Sequence, residues 1–309
     1  MKSIISFGDI PVGEFYPLLK RAGEIKEKIK GGKRLNLLDG KIVGLLFEKP
    51  STRTRVSFES ASILMGGNPI YLARSELQLS RGEPVKDTAR ILGSYLDILV
   101  VRAFENDTIV ELSEYSGLPV INALSDLEHP TQLVSDMLTI YEVKKRIKGI
   151  KIAYIGDGNN VANSLILAAA TGGANVTIAC PEDYEPDSGV LAKALKVAKK
   201  TGSEIEVTHD VAKASKDADV FYTDVWVSMG QEKEAEKRAK AFRGYQINSK
   251  VVAMGKKDAV VMHCLPAHRG QEITDEVIEG RRSVVWQQGE NKLYGAAAVL
   301  ELAMKGKAR

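Results

Sequence analysis

Cysteine is scarce in this chain of 309 residues: it has two, Cys180 and Cys264. That excludes a disulfide framework and suits a reducing compartment. Long hydrophobic runs are missing as well. The apolar stretches at 165–170 and 98–101 are far too short to span a bilayer, and the opening MKSIISFGD has no apolar core of signal-peptide length. The expectation is a cytoplasmic protein without a membrane partner. Neither sign of charge dominates: 43 Lys and Arg stand against 40 Asp and Glu, a net +3, so no basic surface advertises nucleic acid. Internal repeats and low-complexity segments are absent. Gly156-Asp157-Gly158 starts like a dinucleotide fingerprint, but Val161 holds the place of the third glycine, and the stretch reads as a plain tight turn. His263, Cys264 and His268 lie close in sequence, yet no second cysteine pair or His/Glu pattern completes a zinc set. No metal, nucleotide or redox cofactor is expected.

What is present suits two α/β domains. Hydrophobic residues make up 44% of the chain, enough for substantial cores, and the length suggests two domains. Apolar runs such as Ile42–Phe47 and 98–101, and the strand read at 151–155, alternate with stretches of helical spacing. That alternation means parallel sheets covered on both faces. The segments 259–263 and 283–286 read as strands, 231–242 as a charged helix, and 291–303 as the final helix. The turn at 146–149 is the expected boundary, with domains at 1–148 and 149–288.

The densest chemistry lies in Lys49-Pro50-Ser51-Thr52-Arg53-Thr54-Arg55. It follows a buried strand and precedes Val56, Phe58, Ala61 and Leu64 at helical spacing, with Ser51 read as the N-cap. A helix N-terminus favours an anion, and two guanidiniums add planar donors that fit phosphate oxygens. Cations are disfavoured at a helix N-terminus unless an anion visits, so the stretch reads as a phosphate site. Other polar clusters also fall at the carboxyl ends of strands, where ligands bind in open parallel sheets. Arg102 ends one strand, and His129-Pro130-Thr131-Gln132 follows another. The stretch from Thr223 to Gly230 and His263-Cys264-Leu265-Pro266 follow two more. His129 is placed to offer a proton or a hydrogen bond to a reacting oxygen. Asp224 admits two readings: a host for a cationic amine, or an Asx turn capping its own backbone. Cys264 is either a small buried hydrophobe or part of a loop beside the cleft.

Taken in order, Ser-Thr-Arg-Thr-Arg at 51–55, His-Pro-Thr-Gln at 129–132, Asp-Val-Trp-Val-Ser-Met-Gly at 224–230 and His-Cys-Leu-Pro at 263–266 resemble the aspartate/ornithine carbamoyltransferase family. Within it the chain is most similar to members that use ornithine. The resemblance implies transfer of a carbamoyl group from carbamoyl phosphate to L-ornithine, giving citrulline and phosphate in arginine metabolism. A sister reaction on putrescine, an N-acylated ornithine or aspartate is the alternative. It implies that Ser51, Thr52, Arg53, Thr54, Arg102, His129, Pro130, Thr131 and Gln132 hold carbamoyl phosphate, with Cys264 and Leu265 lining the centre. Asn160, Asp224, Ser228 and Met229 would bind ornithine. Arg102, His129, Asp224 and Cys264 would carry the chemistry. Gln78 would reach a neighbouring subunit's site, which implies a homotrimer or a multiple of one. The last helix, within 289–309, would return to the first domain. The sequence departs from the family at Lys292, where an arginine is usual; lysine keeps the charge and loses the planar fork. Gln287 stands where an acidic residue would be expected.

Overall fold

The protein is described from a computed structural model covering residues 3–228, 230 and 232–305. The chain forms two compact units, one of Met1–Leu138 with Asn291–Arg309 and the other of Thr139–Glu290.

The first unit opens with α1 (Val12–Lys30). Its parallel sheet contains β1 (Ile42–Phe47), β2 (Asn68–Ala73), β3 (Ile98–Arg102) and β4 (Val120–Leu124) in the order β2-β1-β3-β4. Between the strands run α2 (Arg53–Leu64), α3 (Val85–Tyr95) and α4 (Asn106–Ser116), and α5 (Pro130–Lys144) follows. β1 and β3 are unbroken apolar runs because helices cover the sheet; Leu46, Leu99 and Val101 pack with Leu92, Ile109 and Leu112 of the helices. The chain lays β2 on one side of β1 and β3 on the other, so the direction of winding reverses between β1 and β3. Loops at such a reversal part and leave a crevice.

The second unit repeats the plan with β5 (Lys151–Ile155), β6 (Asn175–Ala179), β7 (Ile205–Thr208), β8 (Val220–Thr223) and β9 (Val260–His263), ordered β7-β6-β5-β8-β9. Here the reversal falls between β5 and β8. Its helices are α6 (Asn160–Gly172), α7 (Ser188–Thr201), α8 (Val211–Ser215), α9 (Ala235–Ala241), α10 (Ser249–Ala253) and α11 (Asp275–Ile278). α6 is apolar or small on every face, and its residues from Val161 onward are buried.

The last helix, α12 (Val285–Met304), begins earlier than its periodicity suggests. Residues 283–286 do not form a strand. Ser283 makes one isolated parallel bridge to Val261, and Val285 already starts the helix. The β-branched and aromatic residues there favour a strand locally, but no ladder continues past that bridge. The division between the units falls within α5 and within α12. The C-terminal part of α12 belongs to the first unit. There Asn291 accepts from Lys26 at 2.7 Å, and Glu301 pairs with Arg21 at 2.7 Å. Gly295 lies so close to α5 that a Cβ would come within 2.4 Å of Ser135 Oγ. Among the described residues, no helix is long and apolar enough to cross a membrane.

Candidate active site

In the first unit the chain leaves β1 through 48–52 and enters α2. Thr52 is the N-cap, with φ −82° and ψ −61°, and no side chain caps the helix. Thr52 already has helical angles and its carbonyl accepts the Val56 N–H, yet the Ser51 hydroxyl makes no bond to the first turn, so Ser51 does not cap. The result leaves the first-turn N–H groups without a side-chain acceptor, which suits an anion. The two arginines differ. Arg55 stacks on Tyr71 at 3.5 Å and pairs with Glu59 at 3.1 Å, so its charge is answered locally. Arg53 makes no ion pair among the described residues. Thr54 is buried. Beside them opens a cavity of about 570 Å³ whose lining includes Lys49, Ser51, Thr52 and Arg74. Ser75 and Ser80 also line it, whereas Gln78, exposed in a short 3-10 turn, does not.

Arg102 closes β3 and is buried. Its carbonyl accepts the Glu48 N–H at 2.8 Å, which holds the exits of β1 and β3 together across the reversal point. His129 is also buried, directly before Pro130 opens α5. Burial first, then the charges of Lys292 and Arg102, hold its imidazole well below the ordinary histidine pKa, so the ring is neutral. Lys292 reaches in from α12. Its ammonium donates to Gln132 Oε1 and lies 3.4 Å from His129 Nε2, while Gln132 Nε2 donates to Asp136 at 2.8 Å. An ammonium can only donate, so Nε2 is the acceptor and the ring proton sits on Nδ1. The Thr131 hydroxyl is buried without a partner among the described residues. Arg102, His129, Gln132 and Lys292 thus form a buried cationic cluster beside a helix N-terminus.

The second unit gathers the opposite charge at the exits of β5 and β8. Asn159 caps α6: its Oδ1 accepts from the Val161 and Ala162 N–H groups at 3.0 and 3.2 Å, and its Nδ2 donates to Asp224 Oδ2 at 2.9 Å. Cys264 Sγ lies 2.9 Å from Asp224 Oδ1. Asp224 is buried and has no ion pair among the described residues; its partners are an amide and a thiol, so it does not cap its own backbone. A second acid, Asp157, is treated differently. Arg238 of α9 pairs with it at 2.8 Å and donates to the Trp226 carbonyl at 3.0 Å, which tethers the loop carrying Asp224 and Ser228. Burial still pushes the Asp157 carboxyl up to about 6, against the pull of Arg238 and with some help from the charge of Asp224. Asn160 begins α6 and is half-buried, as is Ser228. Met229 lies outside the described residues.

The ligating atoms of Asp224, His263 and Cys264 lie within 4.8 Å of one another. Both ring nitrogens of His263 are nonetheless engaged: Nδ1 accepts the Leu265 N–H at 2.9 Å, and Nε2 meets Glu272 Oε1 at 3.0 Å. This donor set does not suit a metal. His263 acts as a strut that fixes Cys264 and Leu265 at the end of β9, and its own N–H donates to Gln288 at 2.9 Å. Cys180 is buried elsewhere, with its thiol pushed up to about 12 by burial. The amide of Gln287 donates to Glu142 at 2.7 Å. An acid at 287 would face that carboxylate with like charge, which accounts for the departure at this position.

Sequence reasoning missed Asn159, the Asp157–Arg238 pair and Glu272. The position of Asn159 before an apolar helical run signals a cap; nothing local signals its reach to Asp224.

Comparison with known proteins agrees with this layout. Residues 2–142 match the model for the carbamoyl-P binding domain of aspartate/ornithine carbamoyltransferases, and residues 148–303 match that for the Asp/Orn binding domain. The chain belongs to the aspartate/ornithine carbamoyltransferase family. It is a carbamoyltransferase with the two parallel-sheet domains expected of that family. The anabolic ornithine carbamoyltransferase of Pyrococcus furiosus is 49% identical over 305 residues, covering 99% of this chain and 97% of that one. A solved structure of the Pyrococcus furiosus enzyme superposes with a TM-score of 0.96 at 48% identity, covering 99% of this chain and 98% of that one. An anabolic ornithine carbamoyltransferase from Campylobacter jejuni gives 0.94 at 41%, covering 99% and 100%. An ornithine transcarbamoylase from Giardia lamblia gives 0.90 at 32%, covering 99% of each.

Proposed function

We propose that this carbamoyltransferase uses L-ornithine, converting it with carbamoyl phosphate to L-citrulline and phosphate. The observation that carries the choice of acceptor is Asp224, a buried carboxylate answered only by neutral donors. It suits an alkylammonium and repels the second carboxylate of aspartate.

Carbamoyl phosphate binds in the first unit. Ser51, Thr52, Arg53 and Thr54, with the uncapped end of α2, hold the phosphate. Arg102, His129 and Thr54 face the carbonyl oxygen, where charge builds as the amine attacks. His129 takes part as a neutral donor through Nδ1. Pro130 sets the start of α5, Thr131 offers its unpartnered hydroxyl, and Gln132 and Lys292 close the cluster; Cys264 and Leu265 line the centre. Asn160, Ser228 and Met229 bind the amino-acid head of ornithine, and Asp224 with Cys264 orients its side-chain amine. That amine, with a free pKa of roughly 10.4, must shed a proton before it attacks. The new C–N bond forms as the bond from carbonyl carbon to phosphate oxygen breaks; phosphate leaves with the electron pair and takes up the second proton that the nitrogen loses. Holding both substrates against fixed donors supplies the acceleration.

Citrulline synthesis for arginine production is the direction we assign, and the cytoplasm, where two free thiols persist, the location. The assembly is a homotrimer or a multiple of one, with Gln78 offered to a neighbouring subunit. The test is carbamoylation of an amine panel by purified protein: L-ornithine, L-aspartate, putrescine, N-acetyl-ornithine and L-lysine, each with carbamoyl phosphate. Citrulline should form well above every other product. A different amine winning would overturn the reading of Asp224 and Ser228.

A further inference from the structure

Asn159 has no role in the scheme above, yet it is the residue through which the α6 N-terminus and Asp224 are joined. Its amide has one possible orientation. Oδ1 accepts the Val161 and Ala162 N–H groups and lies 3.3 Å from the Tyr154 hydroxyl. Only donors face that atom, so Nδ2 must be the atom turned to Asp224 Oδ2, 2.9 Å away. Asp224 leaves β8 and Asn159 leaves β5, the two strands at the reversal point of this sheet. Asn159 is thus fixed at one end by a helix and fixes the carboxylate with the other.

We propose that Asn159 is the positioning residue of Asp224, holding the carboxylate in the rotamer that receives the substrate amine while leaving its charge uncancelled. The alternative is visible in the same unit. Asp157, beside the same turn, is held by Arg238, and that guanidinium balances its charge. A cation at 159 would do the same to Asp224. The amide of Asn159 and the thiol of Cys264 instead take one carboxylate oxygen each. Each oxygen keeps acceptor capacity for an ammonium group. The selectivity for a cationic amine then depends on the neutrality of these two donors as much as on Asp224. This rests on the role given to Asp224 above.

The test uses Asn159→Ser and Asn159→Asp in the full-length protein. Serine and aspartate cap helices about as well as asparagine, so both variants preserve α6. Serine is too short to reach Asp224, and aspartate faces it with like charge. The parent's turnover of ornithine is measured first, so a failure of the substrate assignment shows before any variant is made. Asn159→Ser should unfold within about 5 °C of the parent. Both variants should lose about 100-fold in kcat/KM for ornithine, chiefly through KM, with Asn159→Asp the worse. The Kd for carbamoyl phosphate should not move. An Asn159→Ser protein that keeps kcat/KM within about threefold of the parent would overturn the proposal. Equal weakening of ornithine and carbamoyl phosphate would do so too, because it marks a general structural role.

Discussion

The two units share an architecture and differ in what they do with charge. Each is a parallel sheet whose winding reverses beside its first strand, and each collects its polar residues at that reversal. In the first unit cations are gathered at the strand exits and a helix N-terminus: Arg102 and Lys292 are buried, and Arg53 makes no ion pair among the described residues. In the second, Asp224 is buried among neutral donors. Each unit also contains a counter-example. Arg55 is answered by Glu59, and Asp157 by Arg238. Burying Asp224 without a cation is costly, and cations are disfavoured at a helix N-terminus, so each reversal marks where a ligand of opposite charge is expected. One unit is prepared for an anion and the other for a cation, and carbamoyl phosphate and ornithine are such a pair.

Breaking the paired acid tests the contrast most strongly. Arg238→Met removes one partner of a buried ion pair, which costs about 3–5 kcal/mol of stability. The Asp157 carboxyl already sits at about 6 and would rise further without Arg238. A raised carboxyl contributes stability below the unfolded pKa and loses it as pH rises through the folded value. The destabilisation should therefore be full at pH 8 and shrink towards pH 4, as read by denaturant unfolding at each pH. A loss that does not change with pH would mean that Arg238 acts through its tether to Trp226 alone.

Next in size is Arg102→Ala. It should lower kcat by about 10²–10³, or about 2.7–4 kcal/mol of barrier, the usual cost of one donor to a developing oxyanion. Thermal unfolding and single-turnover kinetics on the same preparation separate that loss from misfolding. Normal turnover in a folded variant would remove Arg102 from the reaction.

The smallest effect concerns His129. Its folded pKa lies below the unfolded value near 6.5, so it contributes stability above that value and loses it as pH falls through the folded one. Asp157 slopes the other way. The comparison is therefore parent against His129→Gln between pH 7.5 and pH 5, where only the parent should weaken from this source. Identical slopes would place the ring in solvent.

Much of the fold could be read from sequence because its signals are local. Buried strands such as Ile42–Phe47 and Lys151–Ile155 are continuous apolar runs, and the polar stretches that follow them stand at strand exits. The segment 283–286 misled because β-branched residues state a preference that only a neighbouring strand can satisfy. What could not be read was pairing across distance. Arg238 lies in a stretch of charges that looks like a solvated helix, yet it is buried against Asp157. Asn159 carries the mark of a cap and nothing that points to Asp224. Lys256 pairs at 2.8 Å with Asp219, far from it in the chain. Each of these contacts is made by the fold, and a residue's own neighbours in sequence say nothing about it.

The return of α12 to the first unit bears on how the protein is made. Lys292, the last member of the cationic cluster to be synthesised, lies more than 150 residues beyond Gln132, which it bonds. A ribosome must finish the whole second unit before it releases the lysine that completes the first. Chains that stop before Lys292 therefore lack the donor that Gln132 receives, and the cluster of Arg102, His129 and Gln132 gains its last member only after the second unit has been made.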